Sequence, residues 1–300
     1  ILTIVYFEPK MLKVQTGQIV EFYSNSCCVV SEGKELRCKI QGRINLVVGD
    51  LVQLELSSMD GNAEGLVTKR LDRVTVLYKS KEKVKKPIAA NISHIGILVT
   101  KNPKTNLEFI DKWITISKIA SIEPFIIFNK IDLLQNSSFL EDQKVYERIG
   151  IKTFQISAKF FTNVDELKKY LSKKTTIFVG NSGSGKSTLT SAITGKEILS
   201  KALSNNQGVH TTSVSTLYHT GEMKIIDSPG VRDIGIDHLK PKEIILGFPE
   251  IINYSLNCTF PNCSHQADEG CEVMTALKNG DIEESRYNNF IFLSNQEKTK

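Results

Sequence analysis

One octapeptide constrains this 300-residue chain more than any other feature. Gly180-Asn181-Ser182-Gly183-Ser184-Gly185-Lys186-Ser187, followed by Thr188, fits G-x-x-x-x-G-K-[ST]. The apolar run Thr176–Val179 precedes it, and a helical segment follows as far as Gly195, a suitable C′ glycine. Strand, glycine-rich turn and helix together make a phosphate cradle. Glycine tolerates the backbone angles that turn successive N–H groups inward, and these groups with the helix N-terminus hold a β-phosphate. Lys186 is expected to bridge the β- and γ-phosphates in catalysis, and Ser187 to ligate Mg²⁺. A chance match in a chain of this length is on the order of one per cent at average glycine usage.

A second set of residues specifies the base. Asn129-Lys130-Ile131-Asp132 stands directly after the apolar run Phe125–Phe128. Asp132 is placed to accept bonds from guanine N1–H and the 2-amino group. Adenine offers neither donor, and a carboxylate left unpaired costs enough for strong discrimination. Ser157-Ala158-Lys159 follows the run Thr153–Ile156, where the Ala158 N–H can meet guanine O6. Asp227-Ser-Pro-Gly230 follows Lys224–Ile226. Asp227 is expected to hold Mg²⁺ through water and the Gly230 N–H to touch the γ-phosphate. In the polar loop Gly208-Val-His210-Thr211-Thr212, one of Thr211 and Thr212 is expected to ligate Mg²⁺ once a γ-phosphate is present. Val231 stands where many small GTPases place a water-orienting glutamine. Valine cannot hydrogen-bond, so turnover is expected to be slow unaided. His210 either orients the water or only packs against its loop.

The flanks differ in character. Residues 1 to about 80 read as short strands: Ile1–Phe7, Gln18–Phe22, Leu46–Val48, Val52–Leu56 and Val74–Tyr78, with turns at Gly33, Gly49-Asp50 and Asp60-Gly61. About five short strands suggest a small barrel of the OB type. Lys79, Lys81, Lys83, Lys85, Lys86 and Pro87 read as a basic linker. Strands and helices then alternate. Thr105–Ala120 has Leu107, Ile110 and Ile114 at helical spacing, and Asn163-Val-Asp-Glu166 reads as a capping-box helix start. This is a βαβ pattern, hence a parallel sheet with helices on both faces. Beyond about residue 236 come two helices with a Cys-rich loop between them. There Cys258-x4-Cys263-x-His265-x5-Cys271 supplies three thiolates and one imidazole, a closed donor set suited to one structural, tetrahedral Zn²⁺. Cys27, Cys28 and Cys38 have no histidine partner and are expected to pack as small apolar residues.

Composition narrows the classes further. The chain is 40% hydrophobic and 24% charged, which excludes a mainly disordered protein. No apolar run approaches the roughly 20 residues of a membrane span, and the opening segment lacks signal-peptide features. Net charge is +4 over residues 1–86, +5 over 87–230 and −4 over 231–300, so the front of the molecule suits an anionic partner. Histidine inside the cysteine cluster favours metal over disulfide and a reducing compartment.

The order of the nucleotide motifs is unusual, since the guanine-reading pieces precede the P-loop. Strand neighbours survive this order if the chain is circularly permuted and opened after Asp227–Gly230. With a barrel in front and a Cys/His loop behind, the chain resembles the circularly permuted ribosome small-subunit-dependent GTPase A family over nearly its whole length. Lys86-Pro-Ile-Ala-Ala-Asn91, Gly208–Thr212, Phe248-Pro-Glu250 and Cys271-Glu-Val match that family's blocks. His94 departs from it where an acid is expected, and Lys112-Trp113 where Arg-Tyr is usual. The resemblance implies three units: an OB-like barrel (1–80) joined by the linker (81–87) to a permuted P-loop GTPase domain (88–235), then a helical zinc-loop domain (236–300). It also implies a cytoplasmic, monomeric enzyme that binds GTP and GDP, the 30S subunit and 16S rRNA. Such an enzyme would act late in subunit maturation and be stimulated by the subunit, with no membrane contact.

Overall fold

The computed structural model describes residues 14–56, 65–81, 84–134, 139–195, 215–228, 231, 234–236 and 238–295. Expectations for Ile1–Phe7, Asp60-Gly61, Lys83, His210, Thr211, Thr212 and Gly230 lie outside these residues.

The N-terminal strands are β1 (Val14–Phe22), β2 (Ser26–Ser31), β3 (Lys34–Ile40), β4 (Leu51–Leu56) and β5 (Gly65–Arg70). They pair in the order β1-β2-β3-β5-β4, and β4 returns to β1, closing a five-stranded barrel. Its core is Ile19, Cys27, Val29, Cys38, Leu46, Val52, Leu54 and Val67. Cys27 and Cys38 are cross-strand partners buried inside as apolar filling. Of these, β1 and β4 coincide with expected strands; the expected strand Val74–Tyr78 overlaps a strand of the hairpin that follows the barrel. Leu46–Val48 forms a single bridge, Val48 to Ala89, rather than a strand. β3 was masked in the sequence because its outward positions carry Lys34, Glu35, Arg37 and Lys39.

The basic stretch is not a linker. β6 (Val76–Lys81) and β7 (Val84–Ala90) pair antiparallel, aligning Lys79 with Lys86. Hairpin pairing satisfies the backbone that a spacer would leave to water. Gly49 fits here because it adopts φ +89 and packs against Ala90, whose carbonyl a Cβ would strike at 2.1 Å.

The central part of the chain forms β8 (His94–Val99), β9 (Glu123–Asn129), β10 (Lys152–Ile156), β11 (Thr175–Val179), β12 (Thr216–Thr220) and β13 (Met223–Asp227). Their order is β10-β9-β8-β11-β13-β12, parallel except for the antiparallel β12, which pairs on its far side with β1 through Thr216 and Glu21 and so joins the barrel. Alternation sends Ile95, Ile97, Ile126, Phe128, Ile177 and Ile226 into one core, and Leu98, Phe125, Ile127, Phe178 and Ile225 into another. Helices α1 (Leu107–Ile119) and α2 (Leu140–Arg148) cover the first face. α3 (Val164–Leu171) and α4 (Lys186–Thr194) cover the second. No capping box opens α3: Asn163 sits at φ +58, and its side chain donates to the Gln155 carbonyl instead.

After β13 the chain packs Val231, Ile234, Ile236 and Leu239 into the first core. Four helices follow rather than two: α5 (Pro241–Ile244), α6 (Pro249–Ser255), α7 (Glu272–Asn279) and α8 (Glu284–Asn295). Pro241 and Pro249 each start a short helix at a position where the missing N–H costs nothing. Among the described residues, no helix is long and apolar enough to cross a membrane.

Candidate functional site

The sheet reverses its direction of winding between β8 and β11. From β8 the chain proceeds outward to β9 and β10, while β11 begins the other half toward β13. Ligands of open α/β sheets bind at the carboxyl ends of the strands beside such a reversal. Every described nucleotide motif stands there: Asn129 at the end of β9, Ser157 after β10, Gly180–Ser187 after β11 and Asp227 at the end of β13.

The glycines of Gly180–Ser187 are required by shape. Gly183 and Gly185 adopt φ +75 and +91. A Cβ on Gly185 would meet Asn129 Nδ2 at 2.5 Å, and one on Gly180 would meet Ser184 Oγ at 2.6 Å. Lys186 folds its ammonium over the loop, donating to the carbonyls of Gly180 and Asn181. Ser182 and Thr188 are exposed; Ser187 is half-buried in the first turn of α4. Ser184 is fully buried, and its hydroxyl has no partner among the described residues.

Asn129 ties two loops together. Its Nδ2 donates to the Ser184 carbonyl at 2.9 Å, and its Oδ1 accepts the Ala158 N–H at 3.0 Å. That N–H, expected to face guanine O6, is given to Asn129 here. Asp132 is exposed, and its Oδ1 accepts the Ser157 hydroxyl at 2.5 Å. Lys130 takes a left-handed backbone (φ +65) and donates to the Asn102 carbonyl at 3.0 Å. Lys159 is exposed beside them. Ser228, just past Asp227, shares a 2.7 Å hydrogen bond with Ser215. Val231 is 3% exposed, so its side chain belongs to the core and not to a water pocket.

The cysteine cluster assembles as the spacing requires. One ligand atom each from Cys258, Cys263, His265 and Cys271 lies within 4.8 Å of all the others. His265 Nδ1 stands 3.6 Å from Cys258 Sγ and 3.7 Å from Cys271 Sγ. A tetrahedral zinc with ordinary bond lengths sets the N···S edge at about 3.6 Å. The donor set and its geometry therefore fit that metal, with Nδ1 as the nitrogen turned inward. Burial holds His265 below the usual histidine range, keeping it in the neutral, ligating form. Asp268 accepts from Ser264 N at 2.8 Å, from Ser264 Oγ at 2.6 Å and from the Cys263 thiol at 3.5 Å, which buttresses the loop. Tyr287 of α8 donates to the His265 carbonyl at 2.7 Å.

A family model described as RsgA GTPase matches residues 70–237. The chain belongs to the RsgA GTPase family. Small ribosomal subunit biogenesis GTPase RsgA from Actinobacillus pleuropneumoniae serotype 5b (strain L20) is 36% identical over 292 residues, covering 93% of this chain and 84% of that protein. The proteins of that name from serotype 3 (strain JL03) and serotype 7 (strain AP76) match equally. The crystal structure of YjeQ from Thermotoga maritima superposes with a TM-score of 0.77 at 27% identity, covering 96% of this chain and all of that one. YloQ, described as a circularly permuted GTPase, shares the fold with a TM-score of 0.75 at 21% identity, covering 98% and 99%. The family's permuted GTPase fold thus accounts for the motif order, with the barrel in front and the cysteine cluster behind.

Sequence reasoning missed a buried charge cluster that joins this GTPase fold to the C-terminal helices. Arg286 of α8 is 1% exposed and donates to Asp111 of α1 at 2.6 Å, to Glu250 at 2.7 and 3.1 Å, and to the Gly247 carbonyl at 2.8 Å. Asp111 also accepts from Tyr146 at 3.0 Å and from Asn289 at 2.6 Å. Burial pushes the Asp111 carboxyl up, opposed by Arg286 and these donors. The available signal was an acid inside the apolar stripe of α1, between Ile110 and Trp113.

Proposed function

We propose that this family member hydrolyses GTP in the late maturation of the 30S small ribosomal subunit, binding 16S rRNA and turning over slowly until the subunit stimulates it. The observation that carries this reading is the convergence of Gly180–Ser187, Asn129, Asp132 and Ser157 at one end of the sheet. Around them, Asn129, Lys130, Asp132, Ser157, Ala158 and Lys159 serve the guanine side, and Gly180–Thr188 with Gly230 the phosphates. Lys186 swings from its own loop carbonyls to the β- and γ-phosphates, exchanging neutral acceptors for anionic ones. Ser187, Asp227 and one of Thr211 and Thr212 would hold Mg²⁺, which when bound neutralises charge developing on the phosphates.

Val231 is committed to the core and supplies no group to the attacking water. His210, or a group of the subunit, therefore has to orient it. One structural zinc would sit in Cys258, Cys263, His265 and Cys271. Barrel, permuted GTPase unit and zinc-loop unit follow one another along the chain, the β6–β7 hairpin joining the first two with its lysines facing the anionic partner, and the enzyme works as a cytoplasmic monomer. Turnover measured with and without purified 30S subunits tests this. Stimulation is expected, and equal rates would contradict it. In the same preparation Cys263→Ser should lose about one equivalent of zinc while GTP binding survives.

A further inference from the structure

We propose that Phe160 and Phe161 form a stacking contact for an unpaired RNA base of the small subunit, mechanically joined to the guanine-reading carboxylate. The proposal rests on the ribosomal reading above and adds a contact site to it. The two rings are 61% and 62% exposed on adjacent residues, whereas the other phenylalanines of this loop's surroundings, Phe125 and Phe154, are buried. The loop that carries them is closed, since Ser157 and Thr162 exchange backbone hydrogen bonds of 3.1 Å in both directions. Phe161 adopts φ +58, a conformation that bulky residues rarely take and that persists only where its surroundings enforce it. The backbone thus holds an apolar ring outward against both solvation and conformational preference.

The neighbouring charge selects the partner. Lys159 Nζ lies 5.0 Å from the Phe160 ring centre, so ring and cation form one platform. Docking into an apolar protein pocket would bury that ammonium without a counter-ion. A nucleotide supplies a flat base for the ring and a phosphate for the ammonium. Asp165 and Glu166 stand exposed in the first turn of α3 and repel a longer phosphate track. The site therefore takes a single base and not a length of backbone.

The Ser157 hydroxyl makes the mechanical link. It accepts the Phe160 N–H at 3.3 Å and donates to Asp132 Oδ1 at 2.5 Å. RNA that steadies the tip steadies Asp132, and by linkage GTP must then tighten RNA binding by the same factor.

The test uses the full-length chain carrying Phe160→Ala and Phe161→Ala together, exposed positions that leave the core intact. Affinity for purified 30S subunits is measured across a salt series with a non-hydrolysable GTP analogue bound. We expect about a tenfold loss with an unchanged salt slope, the mark of lost stacking without lost phosphate contacts. GTP affinity of the free variant should stay within about twofold of the parent, while the tightening of GTP by 30S shrinks. Phe160→Trp should retain binding. A double variant that binds 30S as the parent does overturns the proposal. A photo-crosslink from a benzophenone side chain at position 160 that lands on a ribosomal protein instead of RNA also overturns it. If the parent chain itself fails to bind 30S, the ribosomal reading falls first, and this assignment with it.

Discussion

Asn129 is the residue on which the two halves of the nucleotide site meet, because each end of its amide is bonded to a different loop. Asp132 instead presents its carboxylate at the surface, braced on one oxygen by Ser157. The two roles explain why substitution at Asp132 should alter selectivity without collapsing the site. Asp132→Asn replaces an acceptor for two guanine donors with an amide that also suits the xanthine edge. GTP affinity should fall by about tenfold or more and xanthosine triphosphate affinity should rise, measured by competition against a fluorescent nucleotide. Unchanged GTP affinity would remove Asp132 from base recognition. The places of these residues at the strand ends were legible in the sequence because their spacing is local; their part in base recognition is what the Asp132 variant tests. What the sequence did not disclose was that Ala158 N–H bonds to Asn129. That bond spans 29 residues of chain and depends on the parallel pairing of β9 with β10.

At the scale of elements, α1 is the strut of the molecule. Its Asp111 is gripped by Arg286 from a helix 175 residues away, and Gly247 passes so close that a Cβ would strike Thr115 Oγ1 at 2.1 Å. Local sequence patterns cannot reveal a pairing of that range, although β8, β9 and β11 were plain from their apolar runs and α4 from the glycines at its two ends. β2, β3 and β5 were not, because a barrel strand buries only alternate residues and its outer face reads like a loop. In the hairpin β6–β7 the start of β6 falls in the expected strand Val74–Tyr78, whereas the five lysines from Lys79 to Lys86 read as a spacer. Pairing, not composition, decides that segment.

Arg286→Met tests the strut. It leaves Asp111 buried without its counter-charge, and such single removals cost about 3–5 kcal/mol. Urea unfolding should show a loss of that order, and the double variant Asp111→Asn with Arg286→Met should recover part of it. A loss under about 1 kcal/mol would mean that Tyr146, Asn289 and water satisfy Asp111 by themselves.

For the molecule as a whole, circular permutation changes what the segment after Asp227 can do. In an unpermuted GTPase it would continue into the next strand of the sheet. Here it runs through Val231, Ile234, Ile236 and Leu239, all buried in the first core, into the helices that carry the cysteine cluster. These described residues are packed against the core, and Arg286 fixes the same helices to α1. A γ-phosphate-dependent change near Asp227 would therefore reach the C-terminal unit by repacking these residues together with α1. Packed interfaces respond in discrete steps, so two nucleotide states should give two distinct affinities for the subunit. The decisive measurement is the affinity of the full-length chain for purified 30S subunits with a non-hydrolysable GTP analogue bound, against the same with GDP. The account predicts tighter binding in the GTP-like state, matched by an equal tightening of GTP by 30S. Equal affinities in the two states would contradict it.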